Sequence, residues 1–183
     1  MPRLCILGRT TVDGRPVKNV KPLELVAVLA VAGGTMSRDG VLNRLYECEA
    51  SASTVPTLAY RARKLGLAIE YDAYGRRYRL ARPVSLDALD VLRLARAGRP
   101  QEALCLYAGE CLPTSTSPFA LALRLELESA LVRAILAVDD DDLVSMGCQL
   151  LDNQELAQAA MSRRGEPIAT VLSHSFLVGG DLL

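Results

Sequence analysis

Apolar residues follow one rhythm at the start of this chain and another from residue 22 onward. Leu4-Cys5-Ile6-Leu7 is a short apolar run of the kind a buried strand uses. Residues 10–12 and 15–17 flank Asp13-Gly14, a pair that supplies both positive φ angles of a type I′ turn, so they predict a hairpin. From Pro22 the spacing becomes helical. Leu23, Val26, Ala27 and Ala30 share a face, while Leu25, Val28 and Leu29 fill much of the rest, predicting a central helix that ends at Gly33-Gly34. Ser37 is a cap for a second helix whose inward face is Val41, Leu42, Leu45 and Tyr46. After a polar break at residues 51–53, Val55, Leu58, Ala59 and Ala62 line up as a third helix. Pro56 fits only in its first turn, which puts the cap near Ser53. Its opposite face carries Thr57, Tyr60, Arg61 and Lys64, with Arg63 at the edge. Residues 68–71 and 77–80 then predict a second hairpin with arginines at its turn.

Beyond residue 84 the pattern predicts helices and no strand. Ser85 caps a helix through Leu86, Leu89, Leu92 and Ala95 that stops at Gly98. Further helices are expected over 101–107, from Pro118 past Ile135, from Asp141 or Asp142 to Leu150, over 155–161 and over 167–178. These six pair into three hairpins starting near Leu86, Pro118 and Asn153, about 34 residues apart, which is the tetratricopeptide period.

Charge sharpens this division. The chain has 183 residues and no net charge, yet residues 1–82 hold 14 Lys/Arg against 7 Asp/Glu, and residues 83–183 hold the reverse. A basic half beside an acidic half points to a polyanion-binding module joined to something else. The expected domains are 1–82 and 83–183, the fold mostly α with small β-sheets.

The order of small sheet, three helices and basic hairpin is that of a winged helix. Met36-Ser37-Arg38-Asp39-Gly40-Val41-Leu42-Asn43-Arg44-Leu45-Tyr46 resembles the second helix of OmpR-type effector domains. Ser53-Thr54-Val55 through Tyr60-Arg61-Ala62-Arg63-Lys64-Leu65 resembles their recognition helix, and Gly75-Arg76-Arg77-Tyr78-Arg79-Leu80 their wing. Pro56 stands where those helices carry a polar residue, which would shorten the readable part. Arg77 stands at the second wing glycine, where it would either strengthen phosphate contact or stiffen the wing. Gly98 with Glu102-Ala103-Leu104-x-x-Tyr107 resembles the turn and second helix of a tetratricopeptide repeat. The layout is similar to the SARP/BTAD family, an OmpR-like winged helix-turn-helix followed by tetratricopeptide-like helical hairpins that form a bacterial transcriptional activation domain. That resemblance implies a sequence-specific regulator of transcription. Ser53, Thr54, Thr57, Tyr60, Arg61 and Lys64 would meet double-stranded DNA in the major groove, Arg76 and Arg77 would serve the wing, and Arg38 and Tyr46 would touch the backbone. It further implies activation through RNA polymerase or its sigma factor, and a homodimer on direct repeats. Two alternatives stand beside it. One is a protein-interaction adaptor whose winged helix no longer binds DNA. The other is a single fused core in which neither half folds alone.

Other chemistry is not expected. His174 is the only histidine, and no Ser-His-Asp set, Walker loop or paired metal motif occurs, so neither enzyme activity nor a metal or cofactor is predicted. The five cysteines are scattered, which argues for reduced thiols rather than a disulfide framework. The acidic run 139–142 lacks the alternation, glycine and distal glutamate of a calcium loop and suits a helix start. No apolar run is long enough for a membrane span, and the first one stops at Gly8, too short for a signal peptide, so a cytoplasmic protein is expected.

Overall fold

The computed structural model describes residues 1–47, 50, 51 and 53–164. The fold is mostly helical with two small sheets. The chain opens with β1 (Arg3–Cys5), β2 (Thr11–Val12) and β3 (Arg15–Pro16). Asp13 and Gly14 take φ of 47° and 77°, the two positive angles that the turn between β2 and β3 demands. Then come α1 (Lys21–Val31), β4 (Thr35–Ser37), α2 (Arg38–Leu45) and α3 (Thr54–Lys64), followed by the hairpin β5 (Ile69–Asp72) and β6 (Arg77–Leu80).

Helix α1 is buried on nearly every side, as its near-continuous apolar surface predicts. Even its one acid, Glu24, is buried, where Lys21 Nζ meets it at 2.9 Å. In α2 the Ser37 hydroxyl accepts from Gly40 N at 3.1 Å, the expected cap. Ser53 does stand at the N-cap position of α3, but it does not cap with its side chain. Its hydroxyl meets Ser51 Oγ at 3.1 Å instead, and its carbonyl accepts from Thr57 N and Thr57 Oγ1.

Two strands escape the sequence pattern. β4 lies antiparallel to β6, giving a three-stranded sheet in the order β4-β6-β5. The expectation of no strand after residue 84 is corrected by β7 (Ser85–Leu86), which runs parallel to β1 and completes a sheet in the order β3-β2-β1-β7. Ser85 is consequently no helix cap. Its N–H bonds Pro2 O in the sheet, and the helix α4 (Asp87–Arg96) starts after Leu86.

Asp87 secures that junction. Its carboxylate is buried under the end of β1 and accepts from Ile6 N at 2.9 Å, Leu7 N at 3.1 Å and Ala88 N at 2.8 Å. A second tie follows α5 (Pro100–Leu106). Leu112 N donates to Ile6 O and Gly8 N to Glu110 O, both at 2.8 Å. Gly8 is required here: φ is +64°, and a Cβ would lie 2.4 Å from Ala108 O. Leu112 is buried at φ 47°, an unusual angle for a branched side chain. The Arg124 guanidinium holds this connector by donating to the carbonyls of Cys111 (2.7 Å), Ser115 (2.7 Å) and Leu112.

The remaining helices are α6 (Pro118–Leu136), α7 (Asp141–Leu150) and α8 (Gln154–Arg164). They begin where the hairpin spacing puts them. Asp140 caps α7 through Leu143 N at 3.0 Å, while Arg163 pairs with Asp139 and Asp141, so the acidic run is absorbed by a helix start and an ion-pair network. Gly147 lets α7 close on α6, since a Cβ there would lie 2.9 Å from Ile135 Cδ1. One buried apolar cluster runs from Leu4 through α1 and α4 to Leu156. The helix expected over 167–178, with His174, and Cys48 lie outside the described residues. Burial pushes the Cys111 thiol up to about 12, with Asp87 adding to the shift, which suits an inert packed thiol. Among the described residues no helix is long and apolar enough to cross a membrane.

Asp87 gives two expectations. Replacing it by Ala strands three buried N–H groups and should cost about 2–4 kcal/mol in urea or thermal unfolding. Burial, outweighing the three N–H bonds, raises the Asp87 carboxyl above its ordinary value. An acid raised in the fold holds its proton more tightly folded than unfolded, so its contribution is greatest in acid and declines as pH climbs from the ordinary carboxylate value toward the raised one. The stability gap between the native chain and Asp87→Asn, followed by urea midpoints from about pH 3 to about pH 8, should narrow with rising pH.

Candidate nucleic-acid interface

Helix α3 is two-faced. Val55, Leu58, Ala59 and Ala62 are buried against the core, while Pro56, Thr57, Tyr60, Arg61, Arg63 and Lys64 are exposed. Pro56 is the third residue of the helix, and the first intrahelical N–H is that of Thr57, bonded to Ser53 O at 3.1 Å. The missing N–H of Pro56 therefore breaks no helical bond, and α3 keeps its full 11 residues. The Lys64 ammonium lies 4.9 Å from the centre of the Tyr60 ring, so the two share one patch.

The hairpin β5–β6 stands beside that face. Tyr71 and Tyr78 are register partners with ring centres 4.7 Å apart. Tyr78 is buried, which raises its phenol, while Tyr71 is 47% exposed. At the tip Asp72 Oδ1 accepts from Tyr74 N at 3.0 Å, and Arg76 takes φ 49°. Tyr74 is fully exposed. On the outer strand face Arg79 pairs with Glu70 at 2.7 Å and is neutralised. Arg61, Arg63, Arg76 and Arg77 form no ion pair with any described acid.

Between α3 and the hairpin lies an open cleft of about 230 Å³, lined by Arg38, Pro56, Arg63, Tyr71 and Tyr78 among others. Arg38 is half-buried, and its N–H donates to Arg76 O at 3.0 Å, which fixes the start of α2 to the hairpin turn.

The structure thus brings Ser53, Thr54, Thr57, Tyr60, Arg61 and Lys64 onto one helix and its start, with Arg76 and Arg77 on the adjoining hairpin and Arg38 in the cleft between. Tyr46 is placed differently. It lies half-buried past the far end of α2, with the Lys21 ammonium 5.0 Å above its ring, in a groove shared with Thr54 and Pro118. Burial, then Glu24, raises its phenol. The sequence did not single out Tyr71 or Tyr74 for this surface. Alternation along β5 puts Tyr71 on the inward side with Ile69, and only the cleft leaves it open. Tyr74 at a turn tip had a signal, since an aromatic with nothing to pack on is unusual there.

No known family profile and no curated protein matches this chain. Among solved structures it is similar to Mycobacterium tuberculosis EmbR in complex with a low-affinity phosphopeptide, at 18% identity and a TM-score of 0.42. That likeness covers 91% of this chain and 66% of the other. Among the described residues no group of His, Cys, Asp or Glu is arranged to hold a metal ion.

The position of Pro56 carries a direct expectation. Pro56→Ala should change stability by less than about 1 kcal/mol and leave helicity unaltered, as read by circular dichroism during thermal unfolding.

Proposed function

We propose that this chain is a sequence-specific double-stranded DNA-binding regulator of transcription, with residues 1–82 acting as a winged helix of the SARP/BTAD kind. One observation carries the reading. The exposed face of α3 and the adjoining hairpin gather four arginines that pair with no acid among the described residues, Lys64, and the exposed tyrosines 60, 71 and 74. Elsewhere on the same hairpin an arginine is neutralised by a glutamate. Cations clustered on a helix face and the hairpin beside it, with aromatic and hydroxyl groups among them, suit a groove bounded by phosphates.

In this reading α3 enters the major groove, where Arg61, Thr57 and Tyr60 face base edges and Ser53, Thr54 and Lys64 face phosphates. The hairpin carries Arg76 and Arg77 to the neighbouring groove. Arg38 seats the backbone between them, and Tyr46 offers its hydroxyl at the start of α3. The acidic helical half engages the transcription machinery, RNA polymerase or its sigma factor, and two copies lie on a direct repeat. The chain acts in the cytoplasm, without cofactor or catalysis. The adaptor alternative rests on Pro56 and on the unusual wing with Arg77, and Pro56 sits in the first turn of α3, where it costs the helix no backbone bond.

Selection of bound sequences from random duplex DNA by the full chain should enrich a direct repeat. On the selected site, log affinity should fall against log salt with a slope of about −4 to −5, as about five phosphate contacts require. Joint replacement of Arg76 and Arg77 by Ala should reduce that slope by about two at most. Arg61→Ala should cost about 1–3 kcal/mol and relax preference at one base pair. No retention on duplex DNA at low salt would sink the proposal.

A further inference from the structure

The helical half carries a groove that the DNA reading does not use. It lies between the α5–α6 connector, the outer side of α6 and the end of α7, and encloses about 680 Å³. Its apolar wall is unusual for a surface. Leu121 and Leu125, one turn apart on α6, are 44% and 68% exposed, and Leu150 across the groove is 42% exposed. Leucines left open in a row along a helix mark a contact surface more than scattered ones do.

The charged lining is mostly acidic. Glu110, Glu128 and Asp152 stand at the groove, and among the described residues Arg124 is the one base that lines it. That guanidinium is already committed to three carbonyls of the connector and to Glu110 at 3.1 Å. Glu128 accepts a bond from Asn153 Nδ2 at 2.7 Å, which holds it in place, and Asp152 is exposed. The groove therefore offers leucines flanked by carboxylates.

We propose that this groove receives an amphipathic helix of another protein, apolar on one face and flanked by Lys or Arg. Leu121 and Leu125, four residues apart, form a ridge that such a helix packs on at i, i+3 and i+4 positions. Its flanking bases meet Glu128 and Asp152. Complementary charge also selects among occupants. Residues 165–183 of this chain contain no Lys or Arg and two acids, Glu166 and Asp181, so they lack the flanks that the rim calls for.

The inference stands apart from DNA binding, and its test contains no DNA. The chain has no tryptophan, so Leu125→Trp in the full chain is a unique emission reporter at an exposed position. The probe is a helical peptide of about 18 residues with Leu along one face and Lys on both flanks, beside a twin with Glu in place of Lys. Emission should be that of an exposed indole in the free chain and shift to the blue as the Lys peptide binds. The Glu twin should bind at least about tenfold more weakly. The double replacement of Leu121 and Leu125 by Ala, read by anisotropy of the labelled peptide, should weaken binding about tenfold, and Asp152→Lys should flatten its salt dependence. Equal binding of the twins, no binding of either, or indifference to the leucine replacements would overturn the proposal. Emission already blue in the free chain would overturn it in favour of residues 165–183, and blue emission that grows with protein concentration in favour of a second copy.

Discussion

Beneath the last residues of the first sheet, the backbone N–H groups of Ile6 and Leu7 point into a space that water does not reach, and Asp87 supplies the acceptor. Leaving two such donors bare would cost several kcal/mol, so the position of α4 is set by the need to bring a carboxylate there. Once α4 is placed, the connector after α5 lies against the other side of the same segment, where Ile6 O receives Leu112 N. Arg124 then gathers the carbonyls of that connector and so sets how α6 lies on the body. Polar groups with no alternative partner decide the orientation, and the apolar cluster fills the space they define.

This arrangement leaves α3 free to work. Helix α6 packs on α1 and α2, and Thr57, Tyr60, Arg61, Arg63 and Lys64 of α3 stay exposed among the described residues. The hairpin is held from below by β4 and by the bond from Arg38 N to Arg76 O, which keeps the arginines of its turn at a set distance from those of α3. In the proposed DNA-binding reading such rigidity helps, since ordering the surface at the moment of binding would be costly.

The helices were legible because most repeat their apolar residues at 3.6 spacing over two turns or more, and terminal prolines and glycines are local signals. Asp13-Gly14 was legible for the same reason, as a turn written in two residues. What escaped is short and set by partners distant in sequence. β4 and β7 have three and two residues, too few to show alternation, and exist because β6 and β1 present open backbone to them. Ser85 reads as a cap and serves as a strand residue, since its N–H finds Pro2 O first. Thr57, Tyr60, Arg61 and Lys64 stand exposed as the helical spacing of α3 predicts, but Arg63 looked like the edge of that face and in fact lines the cleft, because the hairpin adds a wall that helical periodicity does not know about. Tyr46 fits the helical pattern of α2, and only the fold shows Lys21 lying across its ring.

The parallel pairing of β1 with β7 bears on the order in which the molecule can assemble as it is made. β2 reaches β1 within a dozen residues, but the other edge of β1 waits for Ser85, its last N–H groups for Asp87, and the carbonyl of Ile6 for Leu112. At ordinary rates of translation that interval is on the order of 5–20 s. Throughout it the growing chain carries an unfinished sheet whose open edge is only three residues long, too short to recruit a stray strand readily. The brevity that hid these strands from the sequence thus makes so long a wait tolerable.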